Sequence, residues 1–383
     1  MYKTKTQLNT TLDTKKERFA YVALVMRGDA YIPGAIILAH SLKRTGTLHD
    51  IVCMITSDVS QAAKEALLAI YDVVVSIDYL RYPTKPLLTT KQQNMYDHWM
   101  SDSLTMFQSL GLTQYTKICQ LDVDVVVLRN MDSVFNTKTP ASCFINPWLS
   151  NSRMNTFYPR YMHHGQLVSK QSIQKAIYSR KTSFVGGCNC IVIEPSDQVL
   201  EKFKLCIENL IAIHGTLGFP GNFSGINEQS MAYFYAVEMD KPMYCIGNEY
   251  QCVPWKQERK HSGVPPYLFH YFNIKPWDMQ NNEPYPDLAI WWSLALECCL
   301  KYLNNPLFEN FLFPSDKTYT LKSITDTNEK NWENPHQCFC CKKTDHLFWD
   351  FKSVKCLCPE IPDFSALFYK TLEITDSLLV IKE

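Results

Sequence analysis

Three short apolar runs, Phe19–Val25 (FAYVALV), Ile51–Ile55 and Val73–Ile77, alternate with two segments whose apolar residues recur at helical spacing. This alternation constrains the fold more than any other feature. Runs this short, without polar alternation, are strands buried on both faces, and parallel neighbours need a crossover that a helix supplies. The first helical segment carries Ala35, Ile36, Leu38, Ala39 and Leu42 and closes on Lys43-Arg44 with Gly46 beyond, the residues a helix C-terminus favours. Asp58 and Ser60 stand where they cap the second, from about Gln61 to Tyr71. The order β-α-β-α-β makes the chain an α/β protein with a parallel sheet.

Beyond that unit the same reading predicts a helix over 100–110, a strand over 117–121, a strand over 190–193, a helix over 196–213, helical periodicity over 228–237 and a closing helix over 294–303. We expect a flexible segment over 1–18, a catalytic domain over 19–305, a linker over 306–335 and a Cys-rich appendage over 336–383. The apolar fraction of 46% against 20% charged residues is that of a folded globular chain. Lys plus Arg and Asp plus Glu both number 38, so there is no positive field to hold nucleic acid. No apolar stretch long enough to span a bilayer occurs, and the first residues lack a signal-peptide pattern, which leads us to expect a cytoplasmic protein. The 15 cysteines fit a reducing compartment, because Cys53, Cys119 and Cys190 lie inside apolar runs as small hydrophobes.

Chemistry enters where the strand over 117–121 runs into Asp122-Val123-Asp124. Burying unpaired carboxylates is costly, which puts both at the strand's carboxyl end, where open α/β sheets bind ligands. Two such groups can hold a hard divalent cation that also bridges a diphosphate. The bland alternative is a pair of solvated strand-end aspartates, and the same pattern resembles the nucleophile motif of haloacid-dehalogenase-like phosphatases. That motif belongs to the first strand of its domain, whereas three strands precede this one. A second segment, His270-Tyr-Phe-Asn-Ile-Lys275-Pro276-Trp277, offers an imidazole for a metal and an ammonium for a phosphate oxygen. In the tail, Cys338-x-x-Cys341 and Cys356-x-Cys358 could supply four thiolates to a structural Zn2+, or be free thiols.

Taken in order, these motifs resemble the glycogenin and galactinol-synthase group, glycosyltransferase family 8, over about Phe19 to Trp292. The opening Ala20-Tyr-Val-Ala-Leu24 with Gly28-Asp29-Ala30-Tyr31 resembles the family's first strand and nucleotide loop. The run from Leu112 to Phe135 resembles the surroundings of its Asp-x-Asp, and His270 to Trp277 its His…Lys-Pro-Trp close. The resemblance implies a GT-A type fold, a Rossmann-like mixed central sheet flanked by helices. It implies that Leu24 and Tyr31 hold the uracil, that Asp122, Asp124 and His270 bind Mn2+ or Mg2+, and that Lys275 steadies the diphosphate. Val123 and Gly187 complete the donor-binding set, and Glu228 and Gln229 lie near the anomeric carbon. The implied activity is retaining transfer of glucose or galactose from a UDP-sugar to a carbohydrate, polyol or protein, by a protein that could be a homodimer. The other readings are the phosphatase and a catalytically silent nucleotide-sugar-binding protein. The chain departs from the family at Met106, where many members have a donor-contacting Lys. It departs again at Gly186-Gly187-Cys188, in place of the Asn-Ser/Ala-Gly that reaches the sugar. The stretch from Tyr244 to Lys256 aligns poorly with the segment that carries the self-glucosylated tyrosine of glycogenin, and Tyr250 lies nearby.

Overall fold

The computed structural model describes residues 17–86, 90, 93–144, 162–178, 186–218, 226–252, 266–271, 275–278, 286–302 and 305–313. In chain order its elements are β1 (Phe19–Val25), α1 (Ile32–Arg44), β2 (Asp50–Ile55), α2 (Gln61–Leu68), β3 (Val73–Ser76), β4 (Lys117–Leu121) and β5 (Val125–Val127). There follow β6 (Ala141–Phe144), β7 (Leu167–Val168), α3 (Lys170–Tyr178), β8 (Gly186–Ile193), α4 (Asp197–His214), α5 (Ile226–Tyr233), β9 (Met243–Cys245), β10 (Leu268–His270), α6 (Pro286–Lys301) and α7 (Pro306–Leu312).

Eight strands form one sheet in the order β3-β2-β1-β4-β8-β6-β9-β7. The first four are parallel, as the crossover helices α1 and α2 require, and β8 then runs antiparallel to both β4 and β6. This is the mixed α/β sheet with flanking helices expected of a GT-A type fold. Helix ends follow local chemistry: Ser60 and Ser196 cap α2 and α4 by accepting from the backbone N–H groups of Ala63 and Val199, and Pro33 sits in the first turn of α1. The apolar run of β1 divides between two cores. Tyr21, Ala23 and Val25 face α1, α2 and α6, whereas Ala20 and Val22 face Leu104, Phe107, Phe203 and Phe234. A strand buried on both faces has no room for polar alternation.

A small ribbon, not legible in advance, positions the site. After β4 the chain leaves the main sheet at Asp122, and β5 pairs antiparallel with β10, placing Val125 opposite His270. The backbone N–H of Tyr271 donates to the carbonyl of Asp124 at 2.9 Å, extending the pairing across the Asp-x-Asp turn.

Several boundaries differ from expectation. The helix predicted over 100–110 is a succession of 3-10 turns, Ser103–Gly111, on which Leu104, Met106, Phe107 and Leu110 are all buried. The strand predicted over 190–193 starts at Gly186, and the closing helix starts at Pro286, ahead of 294. Pro306–Leu312, assigned to the linker by sequence, is helix α7, with Asn305 capping it and Phe308 and Leu312 fully buried. The packed region therefore continues past 305, because two apolar residues at helical spacing find the core between α2 and α6. The segments 1–16 and 314–383 lie outside the described residues, and with them Cys338, Cys341, Cys356 and Cys358. Among the described residues no helix is long and apolar enough to cross a membrane.

Candidate active site

The carboxyl end of β4 and the ribbon bring three ligating groups together. One oxygen each from Asp122 and Asp124 and one nitrogen of His270 lie within 4.8 Å of one another. His270 Nε2 is 3.3 Å from Asp124 Oδ1 and 3.7 Å from Asp122 Oδ2. The Asp122 side chain keeps 43% of its surface exposed, whereas Asp124 keeps 9%, so one carboxylate faces the cleft and the other is held beneath it. Lys275 pairs with Asp124 Oδ2 and donates to the Tyr271 carbonyl at 3.1 Å, and its ammonium lies 5.7 Å from the centre of the Tyr31 ring.

Electrostatics separates the two aspartates. Desolvation in the cleft, then the like charge of Asp124, push the Asp122 carboxyl up to about 7, and the nearby charge of Glu228 adds to this. For Asp124, burial works upward but the Lys275 charge and the interactions with His270 outweigh it and hold the carboxyl well below the usual range. Burial works against the Lys275 cation, yet Asp124 keeps its pKa above the ordinary lysine value.

The structure thus gathers Asp122, Val123, Asp124, His270, Lys275 and Tyr31 at the carboxyl end of β1 and β4. Tyr31 ends the turn before α1 and is 39% exposed, leaving its ring available to a planar ligand. Leu24 sits partly buried at the carboxyl end of β1. Glu228 and Gln229 begin α5 but point apart, as adjacent helical residues must: the charge of Glu228 reaches Asp122, while Gln229 is 6% exposed. Gly187 lies on β8 opposite Cys143, two residues before Asn189, whose carbonyl accepts the Asp122 N–H at 3.1 Å. Met106, at the position of the family's lysine, is buried among apolar side chains. Tyr250 is 2% exposed and lies between the rings of Tyr267 and His164.

One cluster escaped the sequence reading. Arg27 holds a left-handed φ of 64° just before Gly28, also left-handed at 79°, in the turn after β1. Its guanidinium binds buried Asp102 at 2.8 Å, Arg81 binds the same carboxylate at 2.6 Å, and the Tyr79 hydroxyl accepts the Arg27 N–H. This network fixes the turn that leads into Tyr31. A non-glycine left-handed residue leaves no mark in sequence, and its partners are far along the chain.

Comparison with known proteins finds relatives of modest identity. Human glycogenin-1 is 29% identical over 170 residues, 44% of this chain and 45% of that protein. UDP-glucuronate:xylan alpha-glucuronosyltransferase 2 of Arabidopsis thaliana is 29% identical over 161 residues, 42% of this chain and 26% of that protein. The matches therefore span less than half the length of these relatives. An active-site mutant of LgtC, at 14% identity and a TM-score of 0.46, covers 72% of this chain and 95% of its own. No family model matches the chain. By its relatives and by the order of its motifs, the chain is similar to the glycogenin-like glycosyltransferases of family 8.

Proposed function

We propose that this protein is a metal-dependent, retaining glycosyltransferase that takes a hexose, glucose or galactose, from a UDP-sugar. The observation that carries the reading is the convergence of Asp122, Asp124 and His270, from the end of β4 and from β10, on a single point. Two carboxylate oxygens and one imidazole nitrogen suit Mn2+, with Mg2+ as the harder alternative. The like-charge pressure between Asp122 and Asp124 fits such an ion, which when bound would supply Lewis-acid stabilisation of a departing diphosphate. Asp122, Asp124 and His270 would hold it.

The remaining roles belong to the chain. Lys275, anchored by the Tyr271 carbonyl, brings a permanent positive charge to the same cleft and is placed to pair with a phosphate oxygen. The half-open ring of Tyr31 stacks on the uracil, with Leu24 against its edge. Glu228 sets a negative charge beside the metal ligands, and Glu228 and Gln229 are the residues that face the oxocarbenium-like centre. Val123 and Gly187 line the donor cleft through their backbones. The acceptor would be a carbohydrate, polyol or protein. In the tail, Cys338, Cys341, Cys356 and Cys358 would bind structural Zn2+.

The test is a Mn2+-dependent hydrolysis screen over UDP-glucose, UDP-galactose, UDP-GlcNAc, UDP-xylose and UDP-glucuronate, the last because one relative's name specifies that donor. Turnover of a hexose donor, lost on chelation and restored by Mn2+, is the expected result. A protein that hydrolyses none of them, and whose melting temperature UDP with Mn2+ leaves unchanged, is not this enzyme.

A further inference from the structure

We propose that Trp277 is a positioning residue that couples the grip on the metal to the grip on the nucleoside, with Gly34 as the seat into which it fits. The inference rests on the glycosyltransferase reading and adds a route by which two ends of the donor site sense one another.

Trp277 lies two residues beyond Lys275 on the segment that begins at His270. Its indole N–H donates to the carbonyl of Ala30 at 3.0 Å, and its ring meets Tyr31 edge to face at 5.7 Å. Behind it stands Trp291, 5.7 Å away, and only 7% of Trp277 is exposed. One side chain thus joins the residues just beyond Lys275 to the turn that presents Tyr31.

Gly34, in the first turn of α1, shows how tightly the pieces meet. A Cβ built there would lie 2.6 Å from Trp277 Cη2 and 2.9 Å from its Cζ3, and would also overlap the carbonyl oxygen of Val123. Val123 is the middle residue of Asp122-Val123-Asp124. The nucleotide turn, the metal-binding turn and the closing segment therefore touch at one point that only glycine leaves open. A ligand that orders Tyr31 also orders Ala30, and through the Trp277 hydrogen bond it orders the segment that positions His270 and Lys275. By linkage, an ion held by His270 and the aspartates favours the same arrangement of Tyr31.

The experiment measures Mn2+ affinity by titration calorimetry with and without saturating uridine, which has no phosphate to bridge to the ion. In the native protein uridine tightens Mn2+ binding about fivefold, and Mn2+ tightens uridine binding by the same factor. Trp277→Phe, which keeps a ring and removes the N–H donor, brings that factor below about twofold. Trp277→Leu and Gly34→Ala bring it to unity, the second without removing any group that contacts either ligand. A tryptophan that served stability alone would lower the melting temperature and leave the factor unchanged. If Trp277→Leu fails to fold, Trp277→Phe and Gly34→Ala decide. Native protein that binds Mn2+ and UDP while uridine leaves Mn2+ affinity unchanged overturns the coupling and spares the enzyme assignment. Native protein that binds neither Mn2+ nor UDP overturns both.

Discussion

Asp132 and the Asp122/Asp124 pair lie ten and fewer residues apart in sequence and solve opposite problems with the same side chain. Asp132 accepts from the Tyr21 hydroxyl at 2.8 Å, the Thr47 hydroxyl at 2.7 Å, the Leu48 N–H at 3.2 Å and the Asn130 amide at 3.3 Å. Burial works upward on this carboxyl, but the Thr47, Tyr21 and Leu48 donors hold it below the usual range. All four donors are neutral and fixed, so the charge is spent locally on tying β1 and the segment before β2 to the turn after β5. Asp122 instead stands beside a second carboxylate and the His270 imidazole, with the charge of Glu228 near and part of its surface exposed. A carboxylate surrounded by fixed neutral donors is a structural tie; one set against another carboxylate keeps a negative field that a mobile cation can enter.

The largest effect that would break this contrast belongs to Asp124→Ala. Donor hydrolysis and Mn2+ binding should both disappear while the far-ultraviolet spectrum stays native. A variant that keeps full activity in Mn2+-supplemented buffer removes the metal role from the site. Next comes Asp132→Ala, which leaves the Tyr21, Thr47 and Leu48 donors without their acceptor. We expect about 2 kcal/mol of lost stability in urea denaturation, the partial exposure of the site already discounted, with the Mn2+ affinity of the folded fraction unchanged. Comparable loss of Mn2+ affinity in both variants would erase the distinction.

An acid titration sharpens the same contrast. Asp122 must shed its proton to ligate, and its carboxyl is pushed up to about 7, so Mn2+ affinity is full above that pH and falls on acidification toward 6 and below. Each proton that a ligand must release adds a slope of up to about tenfold per pH unit, and Asp122 supplies one. The Asp132 carboxyl is shifted the other way. Its contribution to stability is present above the ordinary value of about 3.9 and is lost only as pH falls through its lower folded-state value. Between pH 8 and 6, therefore, metal binding weakens while unfolding free energy from this cluster stays constant. A flat Mn2+ affinity over that range would mean that Asp122 is ionised throughout.

How much of this was legible depended on whether the determinants were local. The bounds of β1 and β4 follow from apolar runs ended by polar turns, and the start of α2 from the Ser60 cap; all three agree with the structure. Ser103–Gly111 carries apolar residues at spacing that also fits a helix, and its 3-10 winding is set by packing against Phe203 and α4, which no local pattern records. The Asp-x-Asp strand was readable, yet its break into β4 and β5 was not, because β5 exists only through pairing with β10, far along the chain. His270 and Lys275 were readable as chemistry from the residue types of their segment, and the family resemblance added their roles. Their approach to Asp124, the Trp277 contact at Gly34 and the Arg27–Asp102–Arg81 network are tertiary facts.

The smallest expected effect concerns Tyr250, which the family resemblance puts near the segment expected to carry a self-glucosylated tyrosine. A hydroxyl that accepts a sugar must reach the donor, whereas Tyr250 is 2% exposed, lies 4.4 Å from the Tyr267 ring, and points its hydroxyl toward Ser133 at 3.4 Å. Burial also raises its pKa, disfavouring the phenolate that would be the stronger nucleophile. The long Ser133 contact is a weak bond, so Tyr250→Phe should cost less than about 1 kcal/mol. Intact-mass analysis after incubation with Mn2+ and each UDP-sugar should then show the same sugar incorporation into native and variant protein. Incorporation that the native chain shows and Tyr250→Phe loses would require the stack of Tyr250, Tyr267 and His164 to open during turnover. That would make this part of the molecule, opposite in character to the fixed Asp132 cluster, a moving one.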